Sequence, residues 1–137
     1  MYFEILDHPA DIGFRAYGER LEGLFANSAH ALLSIIIETE NILSRERVAI
    51  FAEGDGYETL LVNWLNEVLY YVDGKRIALG DFDVVRLSAT GIECVAAGEP
   101  RDRNKHPPRL VVKAVTYHQL SVRSAENGWM AEVYLDV

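Results

Sequence analysis

Leu21-Glu22-Gly23-Leu24-Phe25-Ala26-Asn27-Ser28-Ala29-His30-Ala31-Leu32-Leu33-Ser34-Ile35-Ile36-Ile37-Glu38 is the stretch that decides the fold class. Leu21, Leu24, Phe25, Ala29, Leu32, Leu33, Ile36 and Ile37 recur at the i, i+3, i+4, i+7 spacing of one helix face. The spacing predicts an amphipathic helix with one apolar stripe. Asn27, His30 and Ser34 fall off that stripe, and His30 reads as a surface helix residue. Upstream, residues 2–6 and 12–17 read as strands. In the second of them Ile12, Phe14 and Ala16 alternate with Gly13, Arg15 and Tyr17. Downstream, residues 45–52 read as a strand that Gly54-Asp55-Gly56 breaks.

Asp55 followed by Glu58 matches a capping box and predicts a second helix from Tyr57 to Asp73, with Gly74 as its stop. Its stripe is Leu60, Leu61, Trp64, Leu65, Val68, Leu69 and Val72, while Asn63, Asn66 and Glu67 are expected to face solvent. From Ile77 onward the pattern is strand-like: 82–89, 92–97, 110–117, 120–123 and 129–136. Thr90-Gly91 and Glu126-Asn127-Gly128 are turn signals, and the second predicts that 120–123 pairs with 129–136. Two helices with one buried face each, and seven or eight strands, imply an α+β fold in two layers. The helices are expected on one face of a mixed, mostly antiparallel sheet, within a single domain spanning residues 1–137.

The totals narrow the function. Half of the 137 residues are hydrophobic, which is a globular composition, and the formal net charge is −8. An acidic chain argues against strong, general nucleic-acid binding, which needs a basic surface. Cys94 is the only cysteine, so no internal disulfide is expected and a cytoplasmic setting follows; its place in the apolar run 92–97 predicts a buried, inert thiol. No basic leader precedes an apolar stretch at the start, and no apolar run reaches the roughly 18 residues a membrane span needs. The polar run 99–107, with Arg101, Arg103 and Lys105, reads as a solvated connection.

Charge interrupts the core pattern at three places. Asp7-His8-Pro9-Ala10-Asp11 packs two carboxylates and an imidazole between two predicted strands, and Pro9 holds His8 extended. Read alone, these five residues are a polar turn whose aspartates accept local hydrogen bonds. Lys113 interrupts the apolar run 110–115. At the end of the chain, Met130, Glu132, Tyr134 and Asp136 share one strand face, opposite Trp129, Ala131, Val133 and Leu135, and the carboxylate of Val137 follows Asp136. If the last strand ends beside the first, Asp7 and Asp11 meet Asp136 and that carboxylate. The cluster would be oxygen-only and suited to a hard divalent cation, with Lys113 offsetting part of the charge. No glycine-rich phosphate cradle, His-Glu-x-x-His or nucleophile elbow is present, so no catalytic residue is assigned.

Five segments, in order, resemble the archease family: 7–13, the helix start 21–27, Leu61-Val62-Asn63-Trp64-Leu65-Asn66-Glu67, Lys113-Ala114-Val115-Thr116-Tyr117-His118, and Val133-Tyr134-Leu135-Asp136-Val137. Pro9 stands where many members are expected to carry Thr. The resemblance implies an α+β fold of strand–helix–strand–strand modules and a cytosolic accessory protein of the tRNA-splicing RNA ligase. That ligase joins a 3′-phosphate or 2′,3′-cyclic phosphate end to a 5′-hydroxyl end with GTP and a divalent metal. An archease is expected to be no enzyme itself. It promotes guanylylation of the ligase, supports multiple turnover and broadens nucleotide use. The resemblance also implies a metal site at Asp11, Asp136 and Val137, with Ca²⁺ the first expectation and Mg²⁺ or Mn²⁺ the alternatives, and a functional position at Lys113. Asp7, His8, Tyr117 and His118 complete the set expected to touch the partner. The competing readings are a metal-dependent phosphoesterase using the same carboxylates, and a chaperone or modulator of an RNA methyltransferase.

Overall fold

The structure is a computed structural model, and it describes residues 3–7 and 12–137, Asp7 by its backbone alone. The elements are β1 (Phe3–Asp7), β2 (Ile12–Gly18), α1 (Leu21–Ile36), β3 (Glu46–Glu53), α2 (Tyr57–Leu69), β4 (Ile77–Ser88), β5 (Gly91–Pro100), β6 (Ala114–Ala125) and β7 (Gly128–Asp136). One turn of π-helix, Tyr70–Gly74, closes α2 and stops at the expected glycine.

The fold is α+β, but the strands form two sheets, and every pairing in them is antiparallel. One has the order β1-β2-β7-β6 and the other β3-β5-β4. Each helix packs on both sheets, α1 against β2 and β4, and α2 against β3 and β6. This is why α1 buries more than one stripe. Ser28, Ala31 and Ile35 are buried along with Leu24, Phe25, Leu32, Leu33 and Ile36. His30 is half-buried, not a surface residue. Its ring meets the edge of Phe82 at 5.1 Å, and burial lowers its pKa. All seven stripe residues of the second helix are buried. Trp64 is wholly enclosed; its ring packs edge-on to Phe82, and its Nε1–H donates to the carbonyl of Phe25 at 3.0 Å. That bond satisfies the one polar atom of a large core side chain and ties the two helices together.

The expected capping box is not formed. Gly56, at φ +99°, is the N-cap of α2 without any side-chain cap, and Asp55 is exposed. Only glycine adopts that angle without strain, so the Gly-Asp-Gly turn starts the helix through its backbone. Glu58 instead accepts from the amide of Val122 at 3.4 Å. The closing hairpin forms as read. Ala125 pairs with Gly128 across Glu126-Asn127, and Val122 pairs with Ala131. The expected strands 110–117 and 120–123 are one strand, β6, which begins at Ala114 and slips register between Thr116 and Ser121.

Candidate functional site

Three strands set the position of the predicted site. Asp7 pairs with Ile12, and Ile12 pairs with Leu135, so the end of β1, the start of β2 and the end of β7 lie at the same end of the four-stranded sheet. On the other side of β7, Ala114 pairs with Asp136, and the Lys113 amide donates to the Asp136 carbonyl at 2.7 Å. Lys113 thus precedes β6 and is tied to Asp136 through the main chain. Both side chains are exposed, and neither makes an ion pair among the described residues. Val137 is exposed as well. His8 and Asp11, and the side chain of Asp7, lie outside the described residues. Among the described residues no group of three or more His, Cys, Asp or Glu side chains is close enough to hold a metal.

Tyr117 and His118 sit in the register slip of β6. The slip sets Tyr117 to Leu120 against Val133 alone, and Gln119 in its centre takes φ +50°. A non-glycine residue there is strained, and a bulge of this kind re-aims side chains out of the ladder. Tyr117 is exposed and its hydroxyl donates to Asn63 Oδ1 at 3.3 Å. His118 is exposed, with its ring 6.1 Å from that of Tyr134. On the same sheet Glu132 accepts from Arg15 at 2.8 Å and from the Tyr134 hydroxyl at 3.1 Å. The Arg15 guanidinium is the main reason that the Glu132 carboxyl lies below its ordinary pKa.

Two residues expected to be solvated instead build the site's support. Asn66 is half-buried and bonds both backbone groups of Val115. Its Oδ1 accepts from the amide at 2.9 Å, and its Nδ2 donates to the carbonyl at 3.1 Å. An amide side chain on α2 thereby acts as a strand partner for the first residues of β6, two positions beyond Lys113. Asn63, three residues earlier and on the same helix face, donates to the Glu53 carbonyl at 2.7 Å and receives Tyr117. The available signal was the spacing of two asparagines beside the apolar stripe.

The polar run 99–107 is a solvated connection only in part: Pro100, Asp102, Arg103, Asn104 and Pro107 are exposed. Glu99 and His106 are buried. Glu99 accepts from the Leu43 amide, from Lys105 and from His106 Nε2, the last at 2.9 Å, while His106 Nδ1 accepts from the Asp102 amide at 3.0 Å. Lys105 is the first cause that holds the Glu99 carboxyl down, at a pKa of about 2.

Residues 3–137 match the model of the Archease protein family. Protein archease of Methanosarcina mazei is 35% identical, over 98% of this chain and 95% of the relative. Protein archease of Pyrococcus furiosus is 37% identical, over 98% of each. The solution structure of Methanobacterium thermoautotrophicum protein 1598 superposes with a TM-score of 0.78 at 31% identity, covering 98% of both chains. A crystal structure from Thermotoga maritima, described as an archease and possible chaperone, has a TM-score of 0.61 at 19% identity over 96% of this chain and 94% of that one, and so shares the fold. With the match running almost from end to end and in register with this fold, the chain belongs to the Archease protein family.

Proposed function

We propose that this protein activates the GTP-dependent tRNA-splicing RNA ligase from the cytoplasm, promoting ligase guanylylation and repeated turnover and broadening nucleotide use, without being an enzyme itself. The observation that carries the reading is the family match over residues 3–137. The end of the four-stranded sheet supports it. There an exposed carboxylate, Asp136, and an exposed ammonium, Lys113, are joined through the backbone yet left un-neutralised by any described neighbour. Long, unpaired charges on a stiff sheet end suit insertion into a partner's active site. Among the described residues no helix is long and apolar enough to cross a membrane.

The donor chemistry fits a divalent cation. Asp136 and the Val137 carboxylate offer oxygen alone, the set that hard ions take, and Ca²⁺ tolerates such irregular ligands better than Mg²⁺ or Mn²⁺. Asp11 would complete the set. The ion would supply positive charge that offsets the carboxylates and polarises a phosphate oxygen. Lys113 would balance the remaining charge or meet a phosphate, while Tyr117 and His118 on the bulge, with Asp7 and His8 at the β1–β2 connection, would meet the ligase surface.

The test is a guanylylation time course of the cognate ligase with and without this protein at substoichiometric amounts. Acceleration is expected; an unchanged rate with folded protein would remove the reading. Phosphoester hydrolysis by the isolated protein, lost in Asp11→Ala, would replace it with a hydrolase.

A further inference from the structure

Among the described residues, seven of the chain's 13 lysines and arginines line three adjoining clefts, together with only three of its 21 acids. The first cleft, of about 460 Å³, has Lys113 at its edge and reaches Asp73 and Val111. Those two residues also line the second cleft, of about 400 Å³, whose cations are Arg76, Arg101, Arg103 and Arg109. Arg76, Arg101 and Arg103 continue into the third, of about 580 Å³, where Arg45 and Lys105 join them. In a molecule of net charge −8 this is a concentrated reversal of sign along a continuous path.

The acids on the path do not neutralise it. Glu99 is committed to Lys105, His106 and the Leu43 amide. Asp73 is shared between Arg101, at 3.3 Å, and Arg76, at 3.7 Å. Asp102 accepts from the Asn104 amide. Arg109 reaches out of the path to Glu38 at 2.6 Å. Arg45, Arg103 and Lys113 make no ion pair among the described residues. The Arg101 side chain is 8% exposed, and with half of one carboxylate as counter-charge it is an under-compensated buried cation. Burial and then the neighbouring Arg76 lower its pKa.

The backbone is set in advance. Arg76 stands at φ +59°, a strained angle for arginine, and its carbonyl accepts from the Arg101 amide at 2.8 Å. The turn that carries Arg103 is closed by bonds from Lys105 and His106 back to the Asp102 carbonyl and anchored by the buried Glu99–His106 pair. Because His106 Nδ1 accepts a backbone N–H, its ring is neutral and donates from Nε2, so it adds no charge. Five of the seven cations are arginines, whose planar fork matches phosphate oxygens in pairs.

We propose that this path binds successive phosphates of a single-stranded nucleic acid, from Arg45 towards Lys113. A linear run of cations across three clefts fits a strand better than a lone anion. The path shares Lys113 with the ligase reading but does not rest on it, and it is tested without the ligase. A fluorescein-labelled RNA strand of about ten nucleotides is titrated into the full chain at several salt concentrations. With about three phosphates neutralised, the log–log salt slope is expected near −2, and Arg76→Ala with Arg103→Ala together should flatten it by about one and weaken binding at least tenfold. Arg86→Ala, which removes an exposed cation paired with Glu93 at the opposite end of the three-stranded sheet, should leave binding unchanged. Both side chains of the double variant are away from the core, and a circular dichroism melt checks its fold. Amide NMR shifts locate the site, with inorganic phosphate and a polyglutamate peptide as parallel probes. Shifts at Arg101 and Arg103 with RNA and inorganic phosphate support the proposal. Shifts with inorganic phosphate but no RNA binding narrow the same phosphate site to a small phosphate ester and overturn the strand. Failure of both to shift those amides overturns the proposal. So does polyglutamate binding as tightly as RNA and with the same sensitivity to the double variant, which would make the path a protein-docking face.

Discussion

Asn66→Ala tests the inference that an α2 side chain holds the start of β6, and with it Lys113, in place. The substitution removes two hydrogen bonds, from the Val115 amide at 2.9 Å and to the Val115 carbonyl at 3.1 Å. Each is worth about 0.5–1.5 kcal/mol net, and a group left short of a partner behind a half-buried surface costs more, so the expected loss is about 2 kcal/mol. The loss should be local first, because the segment leading into buried Val115 carries the exposed residues Val111 and Lys113. Native-state hydrogen exchange at the Val115 amide should therefore accelerate by about thirtyfold, the equivalent of 2 kcal/mol. The Leu65 amide, inside α2, should accelerate only as far as global stability falls. Asn66→Asp separates the two bonds: the carboxylate keeps the acceptor for the amide but turns an oxygen towards the Val115 carbonyl. A rise of less than about threefold at Val115 in Asn66→Ala, with the protein folded, would show that pairing with β7 alone positions β6 and would refute the reasoning.

Trp64→Ala should cost about 3–5 kcal/mol in urea unfolding at an unchanged m-value, because the whole ring and its bond to Phe25 are lost from a closed core. Glu99 has a folded pKa of about 2 against 4.5, so its carboxylate stabilises fully above 4.5 and loses that contribution as pH falls towards 2. The difference in Tm between the native chain and Glu99→Gln should shrink across that interval, and a constant difference would contradict the sign. Cys94 is buried and its thiol is pushed up to about 12, first by burial and then by Asp83 and Asp81, so a thiol reagent should label it only on unfolding. If the metal site is as proposed, a C-terminal tag should weaken Ca²⁺ binding by calorimetry and ligase activation without lowering Tm, whereas an N-terminal tag should change neither.

Sequence periodicity resolved the features that depend on one face of one element. The stripe from Leu60 to Val72 is buried throughout, and the Glu126-Asn127-Gly128 signal marks the last hairpin, whose strands pair as expected. It did not resolve the division into two sheets, because alternation along a strand records which side is covered and not which strand lies alongside. The same blindness explains α1. A helix wedged between β2 and β4 buries Ser28 and Ala31, which a one-stripe pattern assigns to solvent. The errors that bear on function share a cause. Asn66, Glu99 and His106 read as polar and therefore solvated, yet each is drawn in by a partner that satisfies it: Val115 and Leu43, distant in sequence, for the first two, and Glu99, within the same loop, for His106. Burial of a polar group is a property of a pair, and no single-position rule contains it. Net charge is blind in the same way. A total of −8 averages over a surface on which the loop after β5, folded back on its own buried Glu99, gathers Arg101 and Arg103 against Arg76 and Arg45 from other parts of the chain. An average excludes a uniformly basic protein; it places no bound on a local path, which only the packing of that loop brings together.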